Sequence, residues 1–100
     1  MSLESLTETL RLRAAQSPQL GYKVRFDLGE DGLIFWDGTA TPPAISNEDG
    51  EADTTIHLSA ENFEKLMNRA LDPTLAFMLG KLKVEGKMGV AMKLSSWLGD

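Results

Sequence analysis

A chain of 100 residues makes one domain, which buries only about 60–70% of the surface its unfolded form exposes, so a sizeable internal cavity would need a reason. The absence of cysteine excludes disulfides and thiolate chemistry and fits a cytosolic protein, and no run of 18 apolar residues exists to form a transmembrane helix. The net charge of −5 argues against general nucleic-acid binding, whose affinity comes from neutralising phosphates.

Residues 3–15 read as a helix: Leu3, Leu6, Leu10 and Ala14 recur every three to four positions, with Ser2 as the cap and Pro18 as the stop. Glu4 and Glu8 in this segment, and the lack of a basic start and apolar centre, set it apart from a signal peptide. Residues 22–28 alternate, with Tyr22, Val24, Phe26 and Leu28 on one face and Lys23, Arg25 and Asp27 on the other, which predicts a half-buried strand. Gly29-Glu30-Asp31-Gly32 turns the chain into a second strand, Leu33-Ile34-Phe35-Trp36, apolar on both faces and therefore central or facing a cavity. Asp37-Gly38 makes the next turn. Pro42-Pro43 restricts residues 39–46 to an edge strand or irregular structure, because proline removes a ladder donor.

After a turn at Asn47–Gly50, the alternation of Ala52, Thr54, Ile56 and Leu58 predicts another strand. Ser59 caps a helix over 60–71, whose stripe is Phe63, Leu66, Met67, Ala70 and Leu71. Asp72-Pro73 starts a short helix over 73–79: Asp72 caps the free N–H groups, and Pro73 suits the first turn. Gly80 stops it. Leu82 and Val84 alternate with Lys81, Lys83 and Glu85 as a last strand, Gly86 breaks it, and 88–98 is a terminal helix. Consecutive strands and clustered helices predict an α+β domain with one helical layer on one sheet face.

Charge is unevenly spread. From Asp27 to Asp53 there are eight acidic residues and no Lys or Arg, whereas Lys81, Lys83, Lys87 and Lys93 make the last third basic. Those lysines read either as solvated surface or as a transient contact with an anionic membrane.

No residue nominates itself for catalysis. His57 is the lone histidine and falls on a polar strand face. The run Asn47–Asp53 lacks the glycine placement and closing glutamate of a calcium loop and reads as a solvated turn. Ser59, Ser95 and Ser96 sit in no nucleophile elbow, and Gly86-Lys87-Met88-Gly89 is not a phosphate loop. The expectation is a protein that is not an enzyme, with no metal and no cofactor.

What stands out is apolar excess. Leu75, Ala76, Phe77, Met78 and Leu79 follow one another with no charge, and a helix apolar all round needs cover on both sides. The helix over 88–98 is apolar over more than half its circumference. The two could cover each other in an ordinary methionine-containing core, enclose an apolar tunnel, or form a dimer interface with Trp97 as an anchor. Four of the five methionines lie in Met67–Met92, and methionine adapts to irregular apolar sites.

The segment from Gly80 to Leu94, GKLKVEGKMGVAMKL, resembles the C-terminal signature of the sterol carrier protein 2 family: a Gly-Lys-apolar-Lys-apolar strand leads through glycine into a helix with Met, Ala and Lys-Leu at matching steps. Specific similarity spans residues 56–94. The resemblance implies a five-stranded, mostly antiparallel sheet with helices on one face and an apolar tunnel between, which binds a fatty acyl chain, acyl-CoA, a sterol or a quinone-like lipid. By that analogy Met67, Leu71, Phe77, Met78, Met88, Ala91 and Met92 line the tunnel, with Trp36 or Phe35 contributing from the sheet. The chain ends Leu98-Gly99-Asp100 rather than in the Ser-Lys-Leu peroxisomal address, which suits a stand-alone, bacterial, cytoplasmic member. The expected partner is an apolar lipid, on a monomer or weak homodimer. Members also occur as appendages or accessories of lipid- and quinone-pathway enzymes.

Overall fold

The structure, a computed structural model, describes residues 2–16, 21–40 and 43–98, with the backbone alone for residues 94–98. Pro18, Pro42, the side chain of Trp97 and the Gly99-Asp100 tail lie outside the described residues. The order is α1 (Leu3–Ala15), β1 (Lys23–Asp27), β2 (Leu33–Asp37), β3 (Ala44–Ser46), β4 (Thr54–Leu58), α2 (Ala60–Met67), α3 (Pro73–Met78), β5 (Leu82–Gly86) and α4 (Met88–Leu98). A 3₁₀ turn at Gly29–Asp31 joins β1 to β2. Among the described residues no helix is long and apolar enough to cross a membrane.

The five strands form one sheet in the order β3-β2-β1-β4-β5. Every pairing is antiparallel except β1 with β4. Register puts Val24 beside Trp36 and Thr54, and Phe26 beside Ile34 and Ile56. These residues therefore share one face, and all are buried. β3 takes the edge, as its proline-containing segment requires, and β2 is flanked on both sides.

The helices pack on that buried face. Phe63 of α2 lies against Phe26, with ring centroids 5.0 Å apart. α1 packs against β3 and α2, while α3 and α4 touch each other and both meet β5. The predicted caps form: Ser2 Oγ accepts from Ser5 N–H at 3.2 Å, Ser59 Oγ from Asn62 N–H at 3.1 Å, and Asp72 Oδ1 from Thr74 and Leu75 N–H at 2.8 and 3.2 Å.

Two features differ from the sequence expectation. α2 stops at Met67, not at residue 71. Arg69 takes φ +62°, and the N–H groups of Ala70 and Leu71 both return to the Lys65 carbonyl, at 2.8 and 3.2 Å. A left-handed cap usually carries glycine, so an arginine there gave no signal. The apolar stripe continues regardless, because Leu71 packs on the core from the loop. Second, the acidic run 47–53 is not merely a solvated turn. Asn47 Nδ2 donates to Thr7 Oγ1 at 3.0 Å and to the Leu33 carbonyl at 2.9 Å. Asp49 pairs with Arg25 at 2.8 Å, and that hydrogen bond holds its carboxyl below the usual range.

Candidate apolar site between α3 and α4

The short α3 divides by angle. At about 100° per residue, Pro73 and Ala76 define the inner arc, and both are buried. Phe77, Leu75 and Leu79 flank that arc, with exposures of 45%, 48% and 59%. Met78 stands about 160° around the helix from Ala76 and is 75% exposed.

α4 divides in the same way. Val90 and Ala91 are buried at 3% and 8% exposure. Met88 and Met92, one turn apart, border the buried arc on the Ala91 side and are 47% and 70% exposed. Exposed apolar side chains thus stand beside the buried arcs of two helices that touch, and Met67 and Leu71 belong to the apolar core of the domain.

Strand ends fix the start of α4. Gly86 closes β5 opposite Thr54. The Lys87 N–H donates to the Asp53 carbonyl at 3.2 Å, and Thr54 Oγ1 donates to the Lys87 carbonyl at 2.7 Å. Asp53 Oδ2 accepts the Lys23 N–H at 2.9 Å, and Lys87 Nζ lies 3.6 Å from Asp53 Oδ1. The Lys23 N–H foremost, and Lys87 after it, keep the Asp53 carboxyl below its ordinary value. Tyr22, beside this junction, has Lys93 Nζ 5.0 Å and Lys87 Nζ 5.9 Å from its ring centroid.

The residues expected to line a tunnel fall into three groups. Trp36, Met67 and Ala91 are buried on the helix side, with Trp36 1% exposed in the core. Leu71 is half-buried against the core, and Phe77, Met88 and Met92 are exposed beside the buried arcs of α3 and α4. Phe35 and Met78 point elsewhere. Phe35 alternates with Trp36 onto the opposite sheet face, where its ring meets the Gly50 loop, and Met78 faces away from the core. Leu75 and Leu79 are further exposed apolar side chains beside the inner arc of α3. Their i, i+4 spacing was visible in the sequence, but an all-apolar helix gives no cue to which arc is inner. His57 lies on the opposite face of the sheet from the helices, with Nδ1 3.3 Å from Asp27 and Nε2 2.9 Å from Glu85.

A five-stranded sheet with helices on one face, and exposed apolar side chains on two helices that meet, defines an α+β module with a candidate apolar site in its helical layer. The chain belongs to the SCP-2 sterol transfer family, which it matches over residues 3–99. It is 44% identical to human sterol carrier protein 2 over 52 residues, which are 52% of this chain and 10% of that protein. It is 43% identical over 50 residues, half of this chain, to hydroxysteroid dehydrogenase-like protein 2 of Xenopus tropicalis, of which those residues are 12%. The chain thus spans about a tenth of the length of the curated relatives it matches. Its fold is that of sterol carrier protein-2 from Aedes aegypti in complex with palmitate, with a TM-score of 0.77, 18% identity, and coverage of 98% of this chain and 96% of the other.

Proposed function

We propose that this protein is a non-catalytic binder and carrier of one apolar lipid, held between α3, α4 and the core beneath them. The observation that carries this is the set of exposed apolar side chains Phe77, Met88 and Met92 on two helices that touch, next to the buried Ala76 and Ala91. Family membership and the palmitate complex of the Aedes aegypti neighbour support the same ligand chemistry. A fatty acyl chain, an acyl-CoA, a sterol or a quinone-like lipid each brings enough hydrocarbon. Burial contributes about 0.8 kcal/mol per CH₂ without any specific polar contact, so discrimination between chains is weak, about 1–3 kcal/mol per methylene.

Met92→Trp tests the site. It adds bulk at the border the ligand must cross, at a side chain exposed enough to tolerate it. Displacement of a fluorescent fatty acid should weaken about tenfold, roughly 1.4 kcal/mol, with the thermal transition unchanged. Uptake equal to the parent protein would place the ligand elsewhere.

A second reading is an accessory module that meets a partner protein or a second copy through the same helices. The outward Met78 favours it, as do curated relatives in which the matching segment is a small part. It predicts a lipid-free dimer or complex.

A further inference from the structure

We propose that two copies of this chain join along the free edge of β5, antiparallel and centred on Val84, so that their two sheets become one. β5 is an edge strand of five residues without proline. Register decides which of its backbone groups are free. At the two ends of β1, the Tyr22 carbonyl accepts from the Gly38 N–H and the Leu28 N–H donates to the Gly32 carbonyl, each at 2.9 Å. The even-numbered residues of β1 therefore bond to β2, and Arg25 and Asp27 turn toward β4. Alternation then turns Thr55 and His57 toward β5, and Lys83 and Glu85 back toward β4. The N–H and C=O groups of Leu82, Val84 and Gly86 point out of the sheet, and among the described residues no backbone group bonds to them.

The charges on this edge suit a second copy. An edge carrying lysine alone would repel its own kind, which is one way proteins keep edges apart. Here Lys83 and Glu85 stand two residues apart, both exposed, on the sheet face opposite the helices. In an antiparallel pair centred on Val84, the outward groups of Leu82, Val84 and Gly86 meet those of Gly86, Val84 and Leu82 of the second copy. Lys83 of each copy then lies directly opposite Glu85 of the other, in the closely spaced position where side chains interact most. Other centres fail. Centring on Lys83 or Glu85 sets like charges face to face, and centring on Leu82 sets Lys81 against Lys83. Centring on Gly86 runs the pairing into α4, which starts at Met88.

The opposite edge of the sheet is a poorer candidate. β3 has three residues and follows Pro43 directly, so it offers a shorter ladder and no paired charges. Five residues a side bury less than the roughly 800 Å² per partner of a stable interface. The dimer is therefore weak, with monomers at the micromolar concentrations of mass spectrometry and dimers toward millimolar. The edge includes none of Phe77, Met88 and Met92, so the pairing does not rest on the proposed cargo.

Sedimentation equilibrium between about 10 µM and about 1 mM tests this. The parent protein should associate reversibly across that range, and high salt should weaken the association. Lys83→Glu puts two carboxylates on the edge, and Glu85→Lys puts two ammonium groups there. Each variant alone should self-associate about tenfold more weakly than the parent, because two attractions become two repulsions. Mixed in equal parts, the two variants should regain the parent's association, since each edge now complements the other. Both side chains are exposed, so both variants should keep the parent's circular dichroism. The proposal is overturned if the parent stays monomeric throughout, or if either variant associates like the parent, as a dimer through α3 and α4 would. It is equally overturned if the mixture associates no better than its components.

Discussion

Gly86→Ala should destabilise the protein by about 3 kcal/mol, the sum of a left-handed backbone penalty and a displaced neighbour, each of about 1–3 kcal/mol. Gly86 has φ +103°, and a Cβ there would sit 2.6 Å from the Asp53 carbonyl oxygen and 3.2 Å from Thr54 Cα. Both are backbone atoms of β4 and the residue before it, so neither can rotate away. The same carbonyl accepts the Lys87 N–H that starts α4. The substitution therefore loosens the sheet pairing and shifts the helix bearing Met88 and Met92. Gly89, three residues on, has nothing within 4 Å of its Cβ position. Gly89→Ala should be neutral or stabilising by up to about 1 kcal/mol, because alanine is the better helix former. Denaturant melts of the two variants check the contrast. Equal stability of Gly86→Ala and the parent would contradict the packing described at this junction.

The double variant Met88→Asp with Met92→Asp should fold like the parent and lose roughly 100-fold in lipid affinity, about 2.7 kcal/mol. Both side chains are at least 47% exposed, so carboxylates there meet water in the unliganded protein. In the complex they would replace two apolar walls and would themselves be desolvated against hydrocarbon. Titration with a fluorescent fatty acid reads the affinity, and the urea midpoint reads the fold. An unchanged affinity would remove α4 from the site. A large drop in the urea midpoint would show that the two methionines belong to the core.

The strands were legible because period-2 alternation at Val24, Phe26 and Leu28, and at Thr54, Ile56 and Leu58, meets a sheet covered on one side. The helix starts were legible because Ser2, Ser59 and Asp72 each supply a capping oxygen. The end of α2 was hidden by Arg69, a residue that rarely adopts φ +62°. The β1–β4 parallel pairing, which brings Lys23 beside Asp53, joins residues thirty positions apart and leaves no local pattern.

The candidate site was less readable than the fold for one reason. In β2 and α3 both faces are apolar, so hydrophobicity alone could not separate Phe35 from Trp36, or Met78 from Phe77. Register and burial separate them: Trp36 is 1% exposed beneath the helices, while Phe35 takes the opposite face. The lysines were visible as a run, but the gathering of Lys87 and Lys93 at Tyr22 depends on how α4 leaves β5.

Native mass spectrometry of freshly purified protein, followed by extraction and identification of what dissociates, tests the carrier reading most directly. A monomer with a mass excess matching one acyl lipid, sterol or quinone is the predicted result, and the Met88→Asp with Met92→Asp protein should appear without it. A lipid-free dimer would contradict the carrier reading and assign the apolar border of α3 and α4 to a subunit interface.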